Sequence, residues 1–307
     1  MKKILPLILM LILCSLGIVF AFNQYPIDLN KIYLSSILFY LIIFIIHLIV
    51  SSFPTALLCG VDRYLLCFWM HRLSLVSSYV TPIKIGMPIK IYLFYKLFNI
   101  KASHTTSALL VEVLLRLCYL FIAVLYFGGF QYSIEDPQYL IILILLAVIL
   151  GIIIIKKPYN NYFKPISKFY SFCDEIKDVF KNNLFSSNKL ISVAFINGMI
   201  LFLAIFRIFI IAKGINIDDI SFMSISKAVL FTIFVSHISF VPGGYVVREA
   251  SLVYFLSIAG VPYALGTIIA LFDRFFQTLI TYILGAISFL VFKKYYLIDQ
   301  LEPRSES

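Results

Sequence analysis

The stretch FVPGGYVVREASL, Phe240 to Leu252, decides how the rest of this chain is interpreted. It places a helix-breaking Pro-Gly-Gly, followed by the adjacent charges Arg248 and Glu249, inside a sequence that is otherwise almost continuously apolar. A charged side chain at the centre of a bilayer costs roughly 2.5–3.5 kcal/mol and persists where it is paired or faces water. We therefore interpret this stretch as a broken, charged segment within a membrane that lines a path for a polar lipid headgroup.

Composition supports a membrane location for the whole chain. Of its 307 residues 62% are hydrophobic and only 13% are charged, and the mean hydropathy is +1.01. Soluble domains carry about 25% charged residues. We expect an all-α, polytopic transmembrane helical bundle that forms a single integral membrane domain over 1–307. Six full spans of about 20 residues are predicted at 4–22, 32–53, 105–129, 139–155, 190–212 and 263–292.

Two further apolar regions are interrupted, and charge places them relative to the membrane. Region 56–100 is broken between Thr81 and Pro88, and region 226–261 is broken at 242–244. The net charge is +10, with basic residues in the loop 156–189 and in the short tail 293–307. Positive residues favour the cytoplasmic side of a membrane. We therefore expect a protein of the cytoplasmic (inner or plasma) membrane with both termini in the cytoplasm. Each interrupted region must then enter and leave from one side, as two re-entrant hairpins of opposite orientation.

Opposed broken hairpins are typical of transporters that are built from inverted repeats and bind their substrates near the midplane. The two halves of this chain also resemble each other faintly. An offset of 158 residues pairs Lys90 with Arg248, and an offset of 161 pairs Glu112 with Asp273. The offset is not constant, so the inverted repeat stays an expectation.

The charges near the breaks are the candidate headgroup contacts. Glu112 and Arg116 are four residues apart on one predicted helix face, whereas the adjacent Asp273 and Arg274 point about 100° apart and need separate partners. The predicted substrate-binding residues are Lys84, Gly86, Lys90, Glu112, Arg116, Pro242, Gly243, Gly244, Arg248, Glu249, Asp273, Arg274 and Gln277. Purely structural roles stay open for them: ion pairs between helices, lysines that snorkel to the interface and polar packing faces. Arg207 lies about five residues from a span end, from where it could snorkel outward.

The sequence predicts no catalytic residue, no metal site, no cofactor and no nucleic-acid partner. The five cysteines form no CxxC pair and no metal-binding spacing. No GxxxxGK[ST] motif marks a nucleotide-driven pump.

The motifs TPIKIGMPIK (81–90), LVEVLLR (110–116), VPGGYVVREASLVYFLSIAGV (241–261) and LFDRF (271–275) together resemble the transmembrane, flippase-like domain of the lysylphosphatidylglycerol synthase family. The resemblance covers about 30–292. It implies that the Pro-Gly and Pro-Gly-Gly breaks, and the acid and arginine residues of the following helices, line a pore or headgroup site. That family usually has a glycine shortly before the second-motif glutamate, where this chain has Tyr245, Val246 and Val247. The soluble aminoacyl-transferase domain of full-length synthases has no counterpart in this sequence.

These observations predict a lipid-transport protein of the cell envelope. The expected activity is the flipping of a polar or charged lipid, such as an aminoacylated phospholipid or a lipid-linked sugar, across the cytoplasmic membrane. The expected ligand is therefore a membrane lipid with an anionic or lipid-linked headgroup. Two alternatives stay open: a membrane-embedded transferase in envelope lipid or glycan synthesis, and a non-catalytic partner of an envelope glycosyltransferase or synthase.

Overall fold

A computed structural model describes residues 34–80, 85–128, 175, 186–215, 217, 220–238 and 246–301. Predicted spans 4–22 and 139–155, nearly all of loop 156–189, the tail beyond 301, and Lys84, Pro242, Gly243 and Gly244 lie outside these residues. The helices are α1 (Leu34–Val50), α2 (Phe53–Cys59), α3 (Tyr64–Val80), α4 (Gly86–Phe98), α5 (Ala102–Gly128), α6 (Ser187–Gly214), α7 (Phe222–Ile238), α8 (Val247–Ile258) and α9 (Tyr263–Leu301).

The described part of the chain is a helical bundle without strands, which confirms the predicted fold class. Four apolar helical segments in it are long enough to cross a membrane: Ser35–Cys59, Ala102–Ala123, Ser187–Gly214 and Tyr263–Lys294. They coincide with four of the six predicted spans. The first of these segments combines α1 and α2, which are separated only by a turn at residues 51–52.

The two interrupted regions form helical hairpins whose second arms are short. Helix α3 packs against α4, and α7 packs against α8. Helix α4 has 13 residues and α8 has 12. At a rise of 1.5 Å per residue these arms are about 20 and 18 Å long, too short for a hydrocarbon core of about 30 Å. Pro88, predicted to lie in the first break, instead lies in the first turn of α4, where its missing N–H removes no helical hydrogen bond.

The first arm of each hairpin packs against the long helix of the other half of the chain. Helix α3, the first arm of the first hairpin, packs against the last long helix, α9. Helix α7, the first arm of the second hairpin, packs against α5, the long helix of the first half. Helices α1 and α6, which precede the two hairpins, pack against each other. Each hairpin is therefore completed by the other half, which is the arrangement expected of an internal repeat.

Gly86 sets the close approach of α3 and α4. A Cβ atom at this position would overlap Ser78 Oγ and the Ser74 carbonyl. The two arms are joined there, because Ser74 Oγ donates to the Gly86 carbonyl at 2.6 Å and the Gly86 N–H donates to Ser78 Oγ at 3.1 Å. Gly86 thus fixes the geometry of the hairpin that carries Lys90.

Two buried charge clusters form the candidate headgroup site

The first cluster surrounds the Asp273 carboxylate of α9, which is buried. Its Oδ1 lies 2.7 Å from Arg207 Nε, and its Oδ2 accepts a hydrogen bond from Arg207 Nη2 at 3.2 Å. Arg207 is itself only 1% exposed. Arg207 therefore does not snorkel outward: α6 presents it to the bundle interior, where Asp273 compensates its charge.

Two more helices reach the same carboxylate. Tyr40 of α1 donates its hydroxyl proton to Asp273 Oδ1 at 3.0 Å. Arg248, in the first turn of α8, donates from Nη2 to Asp273 Oδ2 at 3.3 Å and from Nη1 to Gln277 Oε1 at 2.8 Å. We call Asp273, Arg207, Tyr40, Arg248 and Gln277 the Asp273 cluster. One carboxylate in it is shared by two guanidinium groups.

Arg274 of α9 and Glu249 of α8 form a separate ion pair. Arg274 Nε lies 3.0 Å from Glu249 Oε1, and the Arg274 guanidinium lies 5.5 Å from the centroid of the Tyr79 ring of α3. Consecutive helical residues point about 100° apart, so Asp273 and Arg274 have different partners, as the sequence predicted. Arg248 and Glu249 also have different partners and do not pair with each other.

The second cluster surrounds Glu112 of α5. Thr55 Oγ1 donates to Glu112 Oε2 at 2.6 Å, and Arg116 Nη2 donates to Glu112 Oε1 at 3.0 Å. Lys90 Nζ donates to Thr55 Oγ1 at 2.6 Å. Arg116 also donates to Asn197 Oδ1 of α6 at 3.3 Å. We call Glu112, Thr55, Lys90, Arg116 and Asn197 the Glu112 cluster; it joins α2, α4, α5 and α6.

Lys90 is buried, with 5% of its surface exposed. A lysine that snorkels to the interface would leave its ammonium in water. The ammonium of Lys90 instead contacts Thr55 and His71 Nδ1, the latter at 3.3 Å. The snorkelling alternative is therefore excluded for Lys90.

The clusters differ from plain structural ion pairs because some of their charges stay open. The side chains of Arg116 and Arg248 keep 26% and 23% of their surface exposed, and Glu249 keeps 17%. Asp273 and Arg207 keep only 3% and 1%. Each cluster thus combines an enclosed carboxylate with a partly exposed arginine.

Residues 7–285 match the family model described as the lysylphosphatidylglycerol synthase TM region. The chain belongs to this family. Comparisons with curated proteins and with solved structures found no match. Membership of the lysylphosphatidylglycerol synthase TM-region family, together with the apolar helices, makes this a multi-pass membrane protein in lipid synthesis or translocation.

In this lysylphosphatidylglycerol synthase TM-region protein, most of the predicted site residues that the structure describes meet in the two clusters. Asp273, Arg248 and Gln277 come together, as do Glu112, Arg116 and Lys90. Sequence reasoning missed the partners that complete the clusters, because they come from distant helices: Tyr40, Thr55 and Asn197, together with Arg207 in its paired role. No local sequence signal marks these partners, because each contact joins helices that are far apart in the sequence.

The residue just before α8 has an unusual backbone conformation. Val246 adopts φ +67° and ψ −48°. This conformation is strained for a β-branched residue and easy for glycine. The chain is therefore strained two residues before Arg248 and three before Glu249.

Proposed function

We propose that this protein translocates a lipid with a polar or charged headgroup between the two leaflets of the cytoplasmic membrane. The supporting observation is the pair of charge clusters, each carried by a hairpin with a short second arm and by the long helix that follows. Broken helices near the midplane are where transporters bind polar substrates. A headgroup that enters hydrocarbon must exchange its hydration for protein groups, and the two clusters supply such groups.

The exposed arginines are the groups that contact the headgroup. Arg248 follows the Pro-Gly-Gly segment at the start of α8, where free backbone N–H groups and the helix dipole favour an anion. Arg248 shares Asp273 with Arg207, so its charge is only partly compensated. Arg116 occupies the corresponding position in the Glu112 cluster and is similarly open.

The test measures transbilayer movement with purified protein in liposomes. A fluorescent phospholipid is placed in both leaflets, and an impermeant reductant bleaches the outer leaflet. Wild-type protein should let most of the fluorescence be bleached, because inner-leaflet lipid reaches the outside. Protein-free liposomes should lose about half, since only one of two leaflets is accessible.

A matched pair of variants separates headgroup contact from general effects of charge. Arg248→Met should slow the movement, whereas Arg63→Met should not, because Arg63 is exposed outside the clusters. The proposal would be overturned if liposomes with wild-type protein lose no more fluorescence than protein-free liposomes, for fluorescent lipids of each headgroup charge. Product formed from a labelled glycosyl or aminoacyl donor in the same preparation would favour a transferase instead.

A further inference from the structure

Five side chains on one face of the first described span connect the two clusters. Tyr40, Phe44 and His47 are spaced by four and three residues on one face of α1, and the series continues at the same spacing with Ser51 in the turn and Thr55 in α2. We call these five residues the α1–α2 stripe. Its first member binds Asp273 and its last member binds Glu112. The fifteen residues from Tyr40 to Thr55 would span about 22 Å in a straight helix.

Two of the three intermediate members of the stripe, Phe44 and Ser51, contact an arginine. The Arg207 guanidinium lies 4.8 Å from the centroid of the Phe44 ring, and Phe44 stacks on His47 at 6.5 Å. Arg72 of α3 donates from Nη2 to the Leu48 carbonyl at 2.7 Å and to Ser51 Oγ at 2.8 Å. Positive groups therefore accompany the stripe from one cluster to the other.

His47 lies along the stripe between two arginine contacts. Arg207 lies against Phe44 before it, and Arg72 binds Leu48 and Ser51 after it. Positive groups on both sides of this position, from α6 and α3, favour an anion between them.

Several donors around His47 have no protein partner among the described residues. Arg72 is 0% exposed, yet its Nε and Nη1 atoms have no hydrogen-bond acceptor. Arg207 Nη1 is enclosed and without a partner as well, and so is His47 Nδ1, whose role as donor or acceptor depends on the tautomer. An enclosed polar group without a partner costs about 1–3 kcal/mol, so the three guanidinium donors beside the stripe call for a ligand. An oxyanion with several acceptor oxygens, such as a phosphate group, matches guanidinium donors of this kind.

The balance of charge also points to an anion. Arg72 and the two clusters, with the Arg274–Glu249 pair, hold six basic groups: Arg72, Lys90, Arg116, Arg207, Arg248 and Arg274. They hold three carboxylates, those of Glu112, Glu249 and Asp273. An anionic headgroup compensates part of this excess, and a cationic headgroup adds to it.

An apolar cavity beside the stripe distinguishes a lipid from a free anion. This cavity of about 260 Å³ lies between α1, α6 and α9, and Tyr40, Phe272 and Phe276 form part of its wall. The ring of Tyr40 faces the cavity while its hydroxyl binds Asp273. A hydrocarbon chain in the cavity and a charged headgroup at the cluster would thus meet at one residue.

We propose that the α1–α2 stripe, with Arg72 beside it, guides the phosphate group of an anionic phospholipid between the Asp273 and Glu112 clusters. This inference rests on the proposed translocation and narrows its substrate to lipids with a net negative headgroup. Arg72 and His47 form an intermediate binding position on that route.

Binding can be measured without transport, because the only tryptophan of the chain is close to Arg72. The Arg72 guanidinium lies 5.2 Å from the centroid of the Phe68 ring, which contacts the Trp69 ring edge-to-face at 5.0 Å. Tryptophan fluorescence of purified protein in neutral detergent is titrated with dihexanoylphosphatidylglycerol, dihexanoylphosphatidylcholine and inorganic phosphate. The anionic lipid should bind at least about tenfold more tightly than the zwitterionic one, since a hydrogen bond to a charged group contributes roughly 1.5–3 kcal/mol. Inorganic phosphate should bind more weakly than the anionic lipid, because it leaves the apolar cavity unused.

Two variants test the route itself. Arg72→Met should weaken binding of the anionic lipid about tenfold or more, and His47→Phe, which keeps an aromatic ring against Phe44, should weaken it measurably. The control Arg63→Met should bind like the wild type, because Arg63 is exposed and lies just before α3, outside both clusters. Unchanged affinity in both Arg72→Met and His47→Phe would overturn the inference.

The wild-type protein alone also tests the inference, whatever the variants do to folding. Equal affinity for anionic and zwitterionic lipids would overturn it even if lipid translocation is observed. Tight anionic binding that depends on Arg72, without any translocation, would support the phosphate site and overturn the proposed function. Inorganic phosphate that binds as tightly as the lipid would show a free-anion site and would also overturn the inference.

Discussion

Replacing Asp273 by asparagine should destabilise the protein more than any other single change within its cluster. The carboxylate accepts contacts from Arg207 at 2.7 Å, Arg248 at 3.3 Å and Tyr40 at 3.0 Å, and it is 2% exposed. Asparagine nearly keeps the shape but removes the negative charge, which leaves Arg207 buried without compensation. Removing one partner of a buried pair costs roughly 3–5 kcal/mol, so the unfolding equilibrium constant should rise by a factor on the order of 10² to 10⁴.

Removing the other partner of the pair, Arg207, gives an internal comparison. Arg207→Gln leaves Asp273 with Arg248 and Tyr40 still in contact, so its cost should be nearer that of a lost charged hydrogen bond, about 1.5–3 kcal/mol. The double variant Asp273→Asn/Arg207→Gln buries no uncompensated charge from this pair and should be more stable than Asp273→Asn alone. Unfolding in detergent, followed by circular dichroism, measures all three. An Asp273→Asn protein as stable as wild type, or less affected than Arg207→Gln, would refute this assignment of charges.

Three further predictions concern other elements. Gly86→Ala should destabilise the first hairpin by roughly 1–3 kcal/mol, because the new methyl would overlap a backbone carbonyl. The control is Gly198→Ala, whose added Cβ would meet nothing nearer than 3.9 Å. Equal unfolding midpoints for the two variants would contradict the packing argument. Val246→Gly should raise stability by about 1 kcal/mol, since relief of a positive φ exceeds the entropy that glycine loses; a lower thermal midpoint would show that Val246 is not strained. Glu112→Gln should lower the free energy of unfolding by less than Asp273→Asn, because Arg116 keeps a quarter of its side chain exposed and retains Asn197. A larger loss for Glu112→Gln in the same unfolding assay would contradict this ranking.

The sequence located the charged core of the molecule because charge is rare in apolar helices. Glu112, Arg116, Arg248 and Asp273 could all be singled out on that basis, and the structure describes each of them in a cluster. The same reasoning predicted separate partners for adjacent charged residues, since their directions follow from helix geometry alone.

What the sequence did not show depends on tertiary packing. Arg207 is 66 residues from Asp273 along the chain, and no local pattern pairs them. The segment 32–53 was interpreted as a plain apolar span, because the polar groups of Tyr40, His47 and Ser51 barely lower its hydropathy. Their common face becomes meaningful only once α6, α3 and α9 are packed against it. Pro88 was assigned to a break because proline disfavours helix interiors, whereas the first turn of a helix accepts it.

The account requires that the two clusters open toward opposite sides of the membrane, so that a headgroup can pass from one to the other. The most direct measurement is the accessibility of single cysteines at Ile85 and Val246, next to the starts of α4 and α8, in a protein without its native cysteines. Small impermeant aqueous thiol reagents are applied to one side at a time in oriented vesicles. The account predicts that position 246 reacts from one side and position 85 from the other. Reaction of both positions from the same side would contradict the opposed hairpins and, with them, the proposed passage of a lipid headgroup.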